Sequence, residues 1–151
     1  SLAYEMGKAI AREMKGKGLN MLLGPCMDIH RFPADGRNFE GMGEDPFLAS
    51  KMVVSYIKAL QSQKIIATAK HFTCENEQWK RFQLDMKVSE RALHEIYLPA
   101  FKSAVKDGQV MAIMAAYNKI NGIFGCEHPY LLKEILKGKW GFQGLVVSDW
   151  D

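Results

Sequence analysis

The sequence predicts an α/β fold built on a parallel sheet, and three observations carry that reading. Four short apolar runs are uncharged along both faces, so each needs cover on both sides, as strands of a parallel sheet do. Their starts at Leu19, Ile65, Val110 and Leu145 are 46, 45 and 35 residues apart. Each gap holds one helical pattern, which is the spacing of βα units with enlarged loops. Four consecutive βα units fit a partial (β/α)8 barrel of the TIM type, since a whole barrel takes roughly 250 residues. A small flavodoxin-like domain also fits the length, and pattern alone does not separate the two.

The elements follow in order. The chain opens in a helical pattern with Leu2, Met6, Ile10 and Met14 on one face. Residues 19–24 read as the first strand, and a long, polar, Gly-rich loop follows. Asp45-Pro46 starts a helix, because Asp45 can cap free N–H groups and Pro46 suits the first helical position. That helix carries Leu48, Met52, Tyr56 and Leu60 at i, i+4 spacing. Residues 65–69 form the second strand. Ser89 is the next N-cap, followed by Leu93, Ile96, Tyr97 and Ala100, with Pro99 expected to kink or restart the helix. Residues 110–116 form the third strand. Pro129 begins a shorter helix with Leu132, Ile135 and Leu136, which Gly138 can end. Residues 145–148 form the fourth strand. Both ends look cut, so the chain reads as a piece of a longer protein.

Composition narrows the function classes. A chain that is 48% hydrophobic and 25% charged is a globular one, neither disordered nor collagen-like. Its apolar runs fall far below the ~20 residues of a membrane span. The net charge of +3 comes from 20 basic and 17 acidic residues spread along the chain, so nucleic acid is not indicated. Cys26, Cys74 and Cys126 have no metal-ligand spacing and read as isolated buried thiols. The compartment stays open. His30, His94 and His128 have no partner pattern, and Glu44, Asp45, Glu90 and Arg91 read as caps and ion pairs.

In either fold, ligands bind beyond the carboxyl ends of the strands. After the first strand come Pro25, Asp28, Arg31 and residues 36–40, which include Arg37 and Glu40. After the second come Lys70 and His71, after the third Tyr117 and Asn118, and after the fourth Asp149 and Trp150. Charged forks and aromatic faces therefore converge on one rim, the mixture a polyol needs for its hydroxyls and its C–H surface. Gly36, Gly41 and Gly43 make no phosphate cradle. Taken singly, each group also has a plainer reading. Arg37 can brace its loop on Glu40 or Asp45, Lys70-His71 can be a solvated strand end, Arg81 can be surface charge, Tyr117 can be a core ring and Asp149 a helix cap.

Several longer motifs sharpen this reading. Residues 33–40, Pro-Ala-Asp-Gly-Arg-Asn-Phe-Glu, with Gly43-Glu44-Asp45-Pro46, resemble the "P-x-x-GRNFE-x-x-GEDP" stretch of glycoside hydrolase family 3. Lys70-His71-Phe72, Arg81 and Val88-Ser89-Glu90-Arg91-Ala92-Leu93 resemble its "KHF…R…VSERAL" segment. Ala116-Tyr117-Asn118, Asn121-Gly122, Trp140-Gly141-Phe142 and Val146-Val147-Ser148-Asp149-Trp150 complete a resemblance that spans essentially the whole chain.

The resemblance implies a retaining, exo-acting β-glycosidase whose first domain is a barrel or near-barrel. It implies Asp149 as the nucleophile, Arg37, Lys70, His71, Arg81 and Tyr117 as sugar-binding residues, and Trp150 beside the sugar. Cations such as Lys70 and Arg37 are expected to keep Asp149 ionised. In the β-glucosidase-like branch the acid/base carboxylate comes from a later domain, so the expected partners are a small carbohydrate and the remaining domains of the same chain. No cofactor or metal is expected. The alternatives are a β-xylosidase or β-N-acetylhexosaminidase of the same family, or a non-catalytic sugar-binding domain. The "PGHG" signature of the N-acetylglucosaminidase branch is absent after Lys70-His71. Phe124 stands where a Pro is common. Residues 72–80 depart from the relatives' "F-x-x-N-x-Q-E-x-x" pattern, which moves or removes a carboxylate there, and Glu77 is accordingly left out of the site.

Overall fold

The computed structural model describes residues 1–150. In chain order the elements are α1 (Leu2–Gly16), β1 (Met21–Leu22), α2 (Pro46–Ser62), β2 (Ile66–Phe72), β3 (Asp85–Met86), α3 (Glu90–Ala92), α4 (Pro99–Lys106), β4 (Ala112–Ala115), β5 (Lys119–Ile120), β6 (Ile123–Phe124), α5 (Tyr130–Lys139) and β7 (Leu145–Val147). Four strands pair in parallel in the order β1-β2-β4-β7. Met21 lies beside Ile66, Ala69 beside Ile113, and Ile113 beside Val146. The main strands thus sit in chain order, with no point where the order reverses. A doubly wound sheet such as flavodoxin's has such a reversal, whereas a barrel adds each strand beside the last. The sheet is that of a partial (β/α)8 barrel.

Local signals account for several boundaries. Asp45 caps α2 by accepting from the Phe47 N–H at 2.8 Å, and Pro46 occupies the first turn. Ser89 caps α3 by accepting from the Ala92 N–H at 3.2 Å. Pro99 restarts the helix as anticipated. It has no N–H for the preceding turn, and the backbone between α3 and α4 widens into a π-helical stretch, Leu93–Tyr97, before α4 begins. Gly138 does not end α5. That helix is wound with π turns and reaches Lys139, and the chain reverses at Gly141 with φ +67°.

Packing shifts the predicted faces. On α1, Leu2 and Met6 are exposed, while Gly7, Ala11 and Met14 are buried. A Cβ at Gly7 would lie 2.8 Å from Ala59 Cβ and 2.9 Å from the Tyr56 carbonyl oxygen, so this glycine sets how closely α1 and α2 approach. On α2, Leu48 is exposed and the buried stripe runs through Ala49, Val53, Tyr56, Ile57 and Leu60. α4 packs on the other flank of α2. Phe72, at the end of β2, meets Phe101 edge-on at 5.1 Å and Trp140 at 6.0 Å. Cys26 and Cys74 are buried as expected, but Cys126 is exposed.

Two features bear directly on the rim. β2 continues past residue 69 through Lys70 and His71, with a register irregularity between Ala69 and Phe72. The strand itself therefore carries the two side chains expected just beyond its end. Beside it, Asn121 and Gly122 take positive φ values of 50° and 94° and close the hairpin of β5 and β6. This two-residue Asn-Gly turn suits the twist of paired strands, and it was visible in the sequence without being read as a hairpin. Asn121 also clasps the Val88 backbone through both amide atoms, at 3.0 and 2.8 Å.

Candidate active site

Each main strand delivers side chains to the same end of the sheet, because parallel strands share a direction. From beyond β1 come Cys26, Asp28, Arg37 and Glu40. β2 and the turn after it bring Lys70, His71, Glu75, Gln78 and Arg81. β4 leads to Tyr117, and β7 to Asp149 and Trp150. A cleft lined by Val105, Gln109, Met111, Trp140 and Phe142 flanks the starts of β4 and β7 and so lies at the opposite end.

His71 is the centre of this group and is 2% exposed. Its Nδ1 lies 2.7 Å from Asp28 Oδ2, and its Nε2 lies 3.5 Å from Asp149 Oδ2. Burial opposes a charge on this ring. The Asp28 hydrogen bond and the charges of Asp28 and Glu75 outweigh it, so His71 titrates above its ordinary value. The Cys26 thiol donates to Asp28 Oδ2 at 3.2 Å. Burial and the Asp28 charge push that thiol far up, so it stays a neutral donor.

A second group surrounds Glu40 and Glu75. Arg37 forks onto Glu40 with contacts of 2.9 and 3.0 Å, and Lys70 Nζ lies 3.6 Å from the same carboxylate. The Arg37 hydrogen bond is the main reason that the Glu40 carboxyl sits below the usual range. Glu75 is buried, with Arg37 Nη1 and Arg81 Nη1 each 3.6 Å from its Oε1. Burial pushes its carboxyl up, with the His71 charge pulling the other way. Arg81 stacks its guanidinium 4.4 Å from the Tyr117 ring centre. The Tyr117 hydroxyl is raised by burial and by the nearby Asp149 charge.

The seven residues expected at the site are not all held alike. Arg37, Lys70, His71, Arg81, Tyr117 and Asp149 are linked by these contacts. Arg37 also makes the Glu40 brace that was its plainer reading. Lys70 and Arg37 face Glu40 rather than Asp149, and the side chain beside Asp149 is the His71 imidazole. Asp149 keeps 13% of its side chain exposed, and its buried Oδ2 has no hydrogen-bond partner. Trp150 is 62% exposed, and its backbone N–H donates to Asp149 Oδ1 at 3.3 Å. Sequence reading missed Asp28 and Glu75 as parts of the arrangement. Asp28 was visible as a polar group after the first strand, and Glu75 as a carboxylate standing where relatives have Asn. Glu77, which was set aside, caps a turn by accepting from the Trp79 N–H at 2.8 Å.

Two sets, Cys26-Asp28-His71 and His71-Glu75-Asp149, bring metal-ligand atoms within 4.8 Å of one another. Sequence spacing gave no hint of them. At the same rim Arg37, Lys70 and Arg81 are paired with Glu40 and Glu75. The arrangement combines hydrogen-bond donors and acceptors with four carboxylates, of which Asp149 alone keeps a buried oxygen without a hydrogen-bond partner, a mixture that suits a neutral polyol.

Comparison with known proteins shows the family. The model of the glycosyl hydrolase family 3 N terminal domain matches residues 1–151. The chain is 47% identical over 149 residues to β-glucosidase BoGH3A of Bacteroides ovatus, covering 99% of this chain and 20% of that protein. It is 45% identical over 148 residues to β-glucosidase B of Emericella nidulans, covering 98% and 18%. The structure of β-glucosidase 3B from Thermotoga neapolitana in complex with glucose superposes with a TM-score of 0.96 at 47% identity, over 99% of this chain and 21% of that one. The chain thus spans about a fifth of the length of the relatives it matches. On the family match and these identities, it belongs to glycosyl hydrolase family 3.

Proposed function

We propose that this chain is part of a retaining exo-β-glycosidase that hydrolyses β-glucosides or related oligosaccharides, with Asp149 as its nucleophile. One observation carries the reading. Asp149 stands at the carboxyl end of β7, largely enclosed, with an uncommitted buried oxygen facing His71. The solved relative carrying glucose and the relatives named β-glucosidases support a glucose-type sugar.

In this mechanism an Asp149 oxygen attacks the anomeric carbon while the bond to the leaving oxygen breaks. A second carboxyl protonates that oxygen, then takes a proton from the water that hydrolyses the glycosyl ester. Retention places the two carboxyl groups about 5–5.5 Å apart. Glu75 is fully buried, Asp28 is engaged by His71 and Cys26, and Glu40 is held by Arg37 and Lys70. In keeping with the resemblance to the β-glucosidase-like branch, the acid is assigned to a later domain of the full-length parent. Arg37, Lys70, His71, Arg81 and Tyr117 hold the hydroxyls of the non-reducing sugar, and Trp150 covers its C–H face.

The test is trapping with a 2-deoxy-2-fluoro β-glucoside on the full-length parent. Fluorine slows both steps while a good leaving group keeps the first one fast, so the ester accumulates. Peptide mass mapping is expected to place the sugar on Asp149. Label on another carboxylate refutes the assignment, and turnover without any covalent ester refutes retention by this route.

A further inference from the structure

We infer that Glu75 is a positioning residue, whose buried carboxylate locks Arg37, Arg81 and the Tyr117 backbone into one preorganised clamp. Its side chain has 0% exposure, so it acts through its neighbours and cannot itself reach a sugar. Oε1 lies 3.6 Å from both Arg37 Nη1 and Arg81 Nη1 and accepts from Gln78 Nε2 at 3.4 Å. Oε2 accepts from the Tyr117 N–H at 3.3 Å. Gln78 closes the circuit, its Oε1 accepting from Arg81 Nη1 at 3.0 Å.

These contacts tie together the loop after β1, the turn after β2, the segment carrying Arg81 and the end of β4. A buried carboxylate without cationic partners is strongly unfavourable, so Glu75 resists any motion that takes either guanidinium away. Arg37 and Arg81 keep 23% and 27% of their side chains exposed. Each arginine is therefore gripped from behind and open in front. Two long, flexible side chains would otherwise lose rotamer freedom on binding, which costs affinity.

The inference rests on the proposed glycosidase reading only for what the clamp grips, and the experiment separates the two. In the full-length parent, Glu75→Gln keeps shape and removes the charge. It is expected to raise KM for an aryl β-glucoside about 10- to 100-fold with a smaller change in kcat, since the clamp grips ground state and transition state alike. Adding Gln78→Glu returns a carboxylate to the same circuit and is expected to recover most of that loss.

A role in the fold alone predicts lower stability with an unchanged KM in the folded fraction, and no recovery in the double variant. The second measurement does not depend on turnover. Phenylglyoxal modification of Arg37 and Arg81, mapped by mass spectrometry, is expected to run several-fold faster in Glu75→Gln than in wild type. Unchanged labelling, or an unchanged KM, overturns the inference. A parent that hydrolyses no β-glycoside defeats the proposed activity instead, and the arginine labelling still decides the role of Glu75.

Discussion

Asp28 and His71 form a buried carboxylate–imidazole pair, with 2.7 Å between Oδ2 and Nδ1. Asp28 also accepts from the His71 backbone N–H at 3.3 Å, so it fixes both the ring and the strand end that carries it. The opposite nitrogen of the same ring faces Asp149. With Nδ1 held by Asp28, protonation places an N–H on Nε2 toward the Asp149 carboxylate. The pair thus couples the charge of His71 to the carboxylate proposed to react.

Asp28→Asn removes the carboxylate that does most to raise the titration of His71 and leaves the Glu75 charge against burial, which lowers it. The alkaline limb of kcat/KM in the full-length parent is expected to move to lower pH. A histidine with a raised folded pKa adds stability that is fully present below its unfolded value of 6.5 and is lost as pH climbs through the higher folded value. The melting difference between wild type and Asp28→Asn is therefore widest just below about pH 6.5 and narrows above it. A difference that grows with rising pH would contradict the coupling.

Lys70→Met keeps the length of the side chain and deletes the ammonium. The Lys70–Glu40 contact is long, at 3.6 Å, and Glu40 retains its fork from Arg37, so stability changes by about 1 kcal/mol or less. A charged hydrogen bond to a sugar hydroxyl is worth about 1.5–3 kcal/mol, or roughly 10- to 150-fold in kcat/KM. The check is a cycle of wild type and variant against a β-glucoside and its mono-deoxy analogues. One analogue is expected to lose much less than the others, because its contacted hydroxyl is already gone. Equal losses on all analogues would assign Lys70 to Glu40 and the loop rather than to the sugar.

Gly7→Ala tests the seam between α1 and α2. Alanine gains up to about 1 kcal/mol of helix propensity, but the new methyl would meet Ala59 Cβ at 2.8 Å and the Tyr56 carbonyl at 2.9 Å. Overpacking of this kind costs about 1–3 kcal/mol, and backbone cannot swing aside as a side chain can. The expected net effect is faster amide exchange in both helices of the full-length parent, with Asp149 labelling unchanged. Equal or slower exchange would mean that the helices separate freely at this point.

The residues of the chain also show which features could be read locally. Asp45-Pro46 and Ser89 were legible as helix starts because a cap satisfies N–H groups within three residues of itself. The alternation of uncharged strands with helices was legible because each pattern repeats within a few residues. Leu48 and Met6, in contrast, are apolar at helical spacing yet exposed. Which stripe is buried depends on the neighbour it meets, and here α1 turns Gly7, Ala11 and Met14 inward.

By itself the sequence determined an α/β chain of about four units, the family resemblance and the types of side chain gathered on one rim. The tertiary structure decided that the strands keep chain order, which excludes the flavodoxin-like arrangement. It also decided who faces whom. Asp28 meets His71 across 43 positions, and Glu75 meets the Tyr117 backbone across 42. Periodicity fixes which way a side chain points from its own element. Partnerships between distant charges form only where folding excludes water, because desolvation makes a close partner decisive.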